Sequence, residues 1–186
     1  MKNPAHRYTT QDRAFWPCFN EVVRGCSSAL EIGCGEGNNL RQTYAKQKVG
    51  IECFQPYVKE GDGVEFRIGD ALKILPTIPD KSFELILNID CIEHFYKEDA
   101  IFVMKEMDRI CSKRILLWTP SGLMVQNKQW HDDYRQWSDG LEHKSSWVKE
   151  ELEEWGYDVA EWFDYHLNYL TKHKTIGALF ATKDFL

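Results

Sequence analysis

The chain of 186 residues contains no apolar run near the ~20 residues that a membrane-crossing helix needs, so a membrane span is not expected. Its six cysteines include no Cys-x-x-Cys pair, which removes the commonest pattern of a structural zinc site. Basic residues are in deficit, 23 against 29 acidic ones, giving a formal net charge of −6. That balance opposes sequence-independent binding of a phosphate backbone, although it leaves room for a local basic patch. Met1 to Thr10 is polar and lacks the apolar core of a signal peptide, so reduced thiols in a cytoplasmic protein are expected. No repeat, low-complexity tract or linker divides the sequence. One domain over residues 1–186 is therefore expected, its length sufficient for a sizeable core.

The richest stretch runs from Ala29 to Leu40: Ala-Leu-Glu-Ile-Gly-Cys-Gly-Glu-Gly-Asn-Asn-Leu. A short apolar run leads into glycines at alternate positions, Gly33, Gly35 and Gly37, and Asn38-Asn39 then opens a helical pattern. This reads as a strand, a tight turn and a helix start, where glycine permits positive φ and close approach of a ligand to the main chain. A dinucleotide fingerprint, Gly-x-Gly-x-x-Gly, counted from Gly33 would need glycine at Asn38.

Strand-like runs alternate with helical patterns, the mark of an α/β sheet. Strands are predicted at Ala29–Ile32, Val49–Glu52, Val64–Ile68, Phe83–Ile89, Arg114–Trp118, Tyr157–Phe163 and Thr175–Thr182. Residues 11–25 read as a leading helix interrupted by Pro17. A helix over Lys97–Cys111 follows from Ala100, Val103, Met104, Met107, Ile110 and Cys111 at helical spacing. Another is predicted from Ser145, as its start, to Trp155, with Gly156 as its stop.

Acidic residues recur at strand ends. Glu52 closes the second strand 19 residues after Gly33, Asp70 closes the third, and Asn88-Ile89-Asp90-Cys91-Ile92-Glu93-His94 leaves the fourth. Each has a plainer reading: Glu52 as a solvated strand end, Asp70 as an N-cap, His94 as an orienting or capping residue. Together, in this order, they are more specific. The frame Glu31-x-Gly33-x-Gly35-x-Gly37, with Glu52 and Asp70, resembles the class I S-adenosylmethionine-dependent methyltransferases over roughly residues 27–120.

The resemblance implies a Rossmann-like three-layer sandwich, a mostly parallel seven-stranded sheet with an antiparallel last strand. It implies S-adenosyl-L-methionine as cofactor and S-adenosyl-L-homocysteine as product. Cofactor contacts then fall on Glu31, Gly33, Cys34, Gly35, Glu52, Cys53, Asp70, Ala71, Asn88 and Ile89. In this reading Glu52 faces the ribose, Asp70 and Ala71 the adenine, and the acid at Glu31 the ammonium end. Residues 1–27 become a lead-in segment, 28–120 the cofactor-binding core and 121–144 an acceptor-side lid.

No Asp/Asn-Pro-Pro-aromatic tetrapeptide follows strand four, as amino-methylating nucleic-acid enzymes of the family would show, and no Pro-Cys nucleophile sits there. The expected reaction is methyl transfer to an oxygen or nitrogen of a small-molecule acceptor, without nucleic acid. A base is needed only if the acceptor is a protonated weak nucleophile. Asp90, His94 and His131 are the candidates. The segment Ser121–Lys144 carries Gln126, Trp130, His131, Asp132, Asp133, Tyr134, Trp137 and His143, a composition that fits a lid, a buried core flap or a homodimer contact. The spacing of His131, Asp133 and His143 fits no metal template, and no metal is expected. Two rivals stay open: a non-catalytic scaffold that keeps the fold, and an NAD-dependent oxidoreductase.

Overall fold

The computed structural model describes residues 1–8, 14–122, 124, 142–167 and 174–185. Seven strands form one sheet: β1 (Ser28–Ile32), β2 (Gln47–Glu52), β3 (Val64–Ile68), β4 (Phe83–Ile89), β5 (Cys111–Ser121), β6 (Asp158–Leu167) and β7 (Lys174–Asp184). Their order is β3-β2-β1-β4-β5-β7-β6. β1 to β5 pair in parallel, and β7 runs antiparallel to both neighbours. This is the mostly parallel, seven-stranded arrangement that the resemblance implies.

Alternation along the central strands feeds two cores. Leu30 and Ile32 of β1, Ile86 of β4, and Ile115 and Leu117 of β5 join one face. Ala29, Leu85, Leu87, Leu116 and Trp118 join the other. Both faces of β1 and β4 are buried, hence their continuous apolar runs. Helices α3 (Ala71–Ile74), α4 (Lys97–Ile110) and α5 (Lys149–Glu154) cover the first face, and α1 (Phe15–Val22) and α2 (Asn38–Gln42) the second. The result is three layers.

Several boundaries differ from the sequence reading. Pro17 does not interrupt the leading helix: α1 begins at Phe15, so Pro17 lies in the first turn, where a missing amide hydrogen breaks no bond within the helix. Ser145 does not start α5. It is buried, accepting from Trp147 Nε1 at 3.2 Å. Helix α5 begins at Lys149, and the Val148 amide donates to Glu151 Oε2 at 3.2 Å. β5 extends to Ser121 because β7 pairs with it that far. Of the tryptophans concentrated after residue 117, Trp118, Trp147 and Trp162 are core residues. Among the described residues, no helix is long and apolar enough to cross a membrane.

Candidate active site

β1 has β2 on one side and β4 on the other, and the chain proceeds outward in both directions. Loops leaving the C-terminal ends of these strands therefore diverge and open a crevice, the usual ligand position in such sheets. Registers Ile32↔Ile51, Ile32↔Asn88 and Glu52↔Ile68 keep the strand ends level. A cavity of about 470 Å³ lies there, within the range of small-ligand sites.

The glycine loop is one wall. The Gly33 and Cys34 amides donate to Ile51 O at 2.9 and 3.1 Å, so the turn folds back onto β2. Gly33 has φ +70°, and an added Cβ would meet Cys91 Sγ at 2.4 Å. The β1 turn thus packs against the segment leaving β4. Gly35, at φ +52°, has no atom within 4 Å of an added Cβ, so its backbone faces open space.

Glu52, at the end of β2, holds this loop. Its Oε2 accepts from Gly35 N at 2.8 Å and its Oε1 from Phe54 N at 2.8 Å. Asp70 caps α3, its Oδ1 accepting from Leu72 N at 2.9 Å. Asp90 leaves β4 in the left-handed region, φ 48°, with its amide donating to Trp118 O at 2.9 Å. Such a conformation in a non-glycine residue costs about 1–3 kcal/mol and marks functional positions when the fold enforces it.

Of the residues selected from sequence, Gly33, Gly35, Glu52, Cys53, Asp70, Ala71, Asp90 and His94 line the cavity. Glu31, Cys34, Asn88 and Ile89 lie behind the wall. Cys34 packs over Gly50, where an added Cβ would lie 2.4 Å from its sulfur. Glu31 is fully buried, Asn39 Nδ2 donating to its Oε1 at 2.7 Å. Its Oε2 and both polar side-chain atoms of Asn88 have no hydrogen-bond partner among the described residues. Burial pushes the Glu31 carboxyl up to about 8, against the Asn39 hydrogen bond that lowers it. His131, Gln126, Trp130, Asp132, Asp133, Tyr134 and Trp137 lie outside the described residues, as does most of the expected lid.

Other lining residues were not selected from sequence. Tyr57, Phe95, Tyr96, Asp99 and Lys144 complete the wall. Phe54 packs edge-on against Tyr57, with ring centroids 4.9 Å apart. Lys144 Nζ sits 5.5 Å from the Tyr96 ring. Four carboxylates, Glu52, Asp70, Asp90 and Asp99, share the cavity with one lysine, a bias toward a cationic ligand.

Behind Asp90 the turn Ile92–His94 is strapped to residues 142–147. Lys144 N and Ser145 N donate to Glu93 O at 2.8 and 3.1 Å. Thr119 Oγ1 donates to the buried Glu93 Oε2 at 2.9 Å. Burial, and then the neighbouring Asp90 charge, raises the Glu93 carboxyl. Asp90 is raised as well: its side chain opens onto the cavity, yet dense protein around the carboxyl limits its hydration.

Residues 30–117 match the family model of the methyltransferase domain. Over that segment, and in its fold, the chain is similar to the class I S-adenosylmethionine-dependent methyltransferases. The chain is 32% identical over 96 residues to ajmaline N-methyltransferase of Rauvolfia serpentina, covering 45% of this chain and 32% of that protein. It is 28% identical over 121 residues to norajmaline N-methyltransferase of the same plant, covering 58% and 40%. The matched stretches therefore span less than half of these curated relatives. In fold it is similar to a SAM-dependent methyltransferase from Archaeoglobus fulgidus, with a TM-score of 0.66, 18% identity, and 95% and 96% of the two chains covered. It is also similar in fold to Haemonchus contortus phosphoethanolamine N-methyltransferase 2, solved with S-adenosyl-L-methionine, with a TM-score of 0.59, 14% identity, and 90% and 52% covered.

Proposed function

We propose that this protein transfers a methyl group from S-adenosyl-L-methionine to an oxygen or nitrogen atom of a small-molecule acceptor. The observation that carries the reading is the cavity at the ends of β1 to β4, walled by Gly33, Gly35, Glu52 and Asp70 and rich in carboxylates. The names of the two Rauvolfia relatives favour nitrogen as the acceptor atom.

The residues present fit the cofactor. Glu52 keeps lone pairs beyond those given to Gly35 and Phe54, enough for the hydroxyls of a ribose. Asp70 lines the cavity and uses Oδ1 as a cap, which leaves Oδ2 for an exocyclic amine, next in sequence to the Ala71 amide. When bound, S-adenosyl-L-methionine supplies a methyl group already activated by the sulfonium. The work left to the protein is alignment and exclusion of water.

Asp90, His94, Phe95, Tyr96 and Asp99 come from the β4 exit, three strands across the sheet from Asp70. At ~4.8 Å per strand this separates the two ends by about 14 Å, which distinguishes an adenine end from an acceptor end. Tyr96 and Phe95 offer flat surface to an acceptor, while Asp90 and Asp99 orient a cationic amine or take a hydroxyl proton.

The test supplies labelled methyl donor with metabolite pools, RNA, DNA and protein lysate in parallel. Label entering a metabolite supports the proposal. Label entering only RNA, DNA or protein overturns the small acceptor, and no transfer to any pool by a chain that binds the donor favours the scaffold rival.

A further inference from the structure

We propose that Glu93, His94 and His143 form a site for a divalent transition cation of the Mn²⁺, Co²⁺ or Zn²⁺ class, at the β4 end of the cavity. One ligand atom from each of the three lies within 4.8 Å of the others. Three ligands at ~2.1 Å around a tetrahedral ion stand ~3.4 Å apart, so a pair at the 4.8 Å limit closes by about 1.4 Å, shared between two side chains.

The orientation of both imidazoles supports the assignment. His94 Nδ1 faces the Glu142 carbonyl at 3.2 Å, and a proton there puts the ring's lone pair on Nε2. His143 hydrogen-bonds the Met124 carbonyl, which likewise fixes one ring nitrogen as donor and the other as acceptor. A ligating histidine characteristically gives its second nitrogen to a carbonyl in this way. Thr119 Oγ1 donates to Glu93 Oε2 and helps to fix the carboxylate.

The site is also built rigidly from distant parts of the chain. Residues 142–147 are fastened to the turn Ile92–His94 through Glu93 O. They are fastened again by Lys97 Nζ, which donates to Ser146 O at 2.8 Å and lies 3.5 Å from the Trp147 ring centroid. The two histidine rings consequently meet at 4.9 Å between centroids. Two nitrogens and a carboxylate oxygen suit first-row transition ions better than Mg²⁺ or Ca²⁺, which favour oxygen alone.

His94 borders the cavity and Asp90 stands beside it, so an acceptor donor atom could complete the ion's coordination. That clause rests on the methyl-transfer reading; binding of the cation does not.

Titration with Co²⁺, followed by its visible absorption and by calorimetry, tests the site in the cofactor-free full chain. One equivalent is expected to bind, with absorption bands of histidine ligation. His143→Ala and Glu93→Gln should each weaken binding at least tenfold. In the unaltered protein, Mn²⁺ should broaden the ring signals of His94 and His143 before those of His6, a readout that needs no variant to fold. Absence of saturable binding, bands unchanged in folded variants, or earlier broadening of His6 would each overturn the proposal. Cofactor binding measured on the same sample separates the two readings. A chain that binds S-adenosyl-L-methionine but no cation contradicts this inference alone, and the reverse contradicts the cofactor reading alone.

Discussion

The Gly35 amide donates to Glu52 Oε2 at 2.8 Å, so the last residue of β2 fastens the glycine loop that leaves β1. The same carboxylate takes the Phe54 amide, and the two strand exits become one rigid rim. A ligand that uses both the loop and the acid meets them already positioned, and less ordering is left to the binding event.

We predict that Glu52→Ala lowers S-adenosyl-L-methionine affinity by tenfold or more, since a hydrogen bond to a charged group contributes about 1.5–3 kcal/mol. Glu52→Gln, which keeps one acceptor oxygen, should fall between. Isothermal calorimetry on both variants checks this, and unchanged affinity in a folded Glu52→Ala protein would remove Glu52 from the site.

The two loop glycines should fail in different ways. Gly33→Ala forces a Cβ toward Cys91 Sγ at positive φ, and is predicted to destabilise the fold by ~2–4 kcal/mol from strain and overpacking together. Gly35→Val meets no neighbour, so the fold should survive the conformational strain while cofactor affinity falls more than tenfold, about 1.4 kcal/mol. Urea melts paired with binding curves separate these outcomes, and the reverse ranking would contradict the loop geometry.

The loop and strand ends were legible because their chemistry is local. Glycines at alternate positions, an acid closing β2 and a cap after β3 are short-range patterns, and β3 and β4 fall where alternation and apolar runs put them. Ser145 was misread because its role is long-range: a serine before a helical stripe looks like a cap until Trp147 and the Glu93 turn are seen around it. Tyr57, Asp99 and Lys144 escaped notice for the same reason, each reaching the cavity only through packing of its loop or helix. The signal available for Tyr96 and Asp99 was their place just after Glu93-His94. The pairing of His143 with His94 has no counterpart in sequence spacing, since 49 residues separate them and the fold alone brings the rings together.

Stability should depend on pH through the buried Glu31, whose carboxyl is pushed up to about 8 from 4.5 by burial. The folded state then holds a proton that the unfolded chain releases. This contribution is fully present below ~4.5 and is lost as pH rises through about 8. Asp184 works in the opposite sense. Burial raises its pKa, but Arg114 and the N-terminal amino group outweigh that and hold it low, so its contribution is lost as pH falls through the lowered value. We predict a Tm that declines between pH 5 and 9, with Glu31→Gln flattening the alkaline side. A wild-type Tm that rises over that range would contradict the assignment.

Asn3 ties the N-terminus to the β6–β7 edge, its Nδ2 donating to Asp158 O and Phe180 O at 2.8 Å each and its Oδ1 accepting from Ala5 N at 2.9 Å. Asn3→Ala strands these buried groups and should cost about 1–3 kcal/mol in chemical denaturation. A loss below ~0.5 kcal/mol, the usual range of a surface substitution, would show that the N-terminal turn is not part of the cooperative fold.

The most direct test of the cofactor assignment is calorimetry of the full chain with S-adenosyl-L-methionine, S-adenosyl-L-homocysteine and NAD in separate titrations. The predicted result is one-to-one binding of the first two, abolished or weakened at least tenfold by Glu52→Ala, and no binding of NAD. Clear binding of NAD with neither sulfur ligand bound would contradict it.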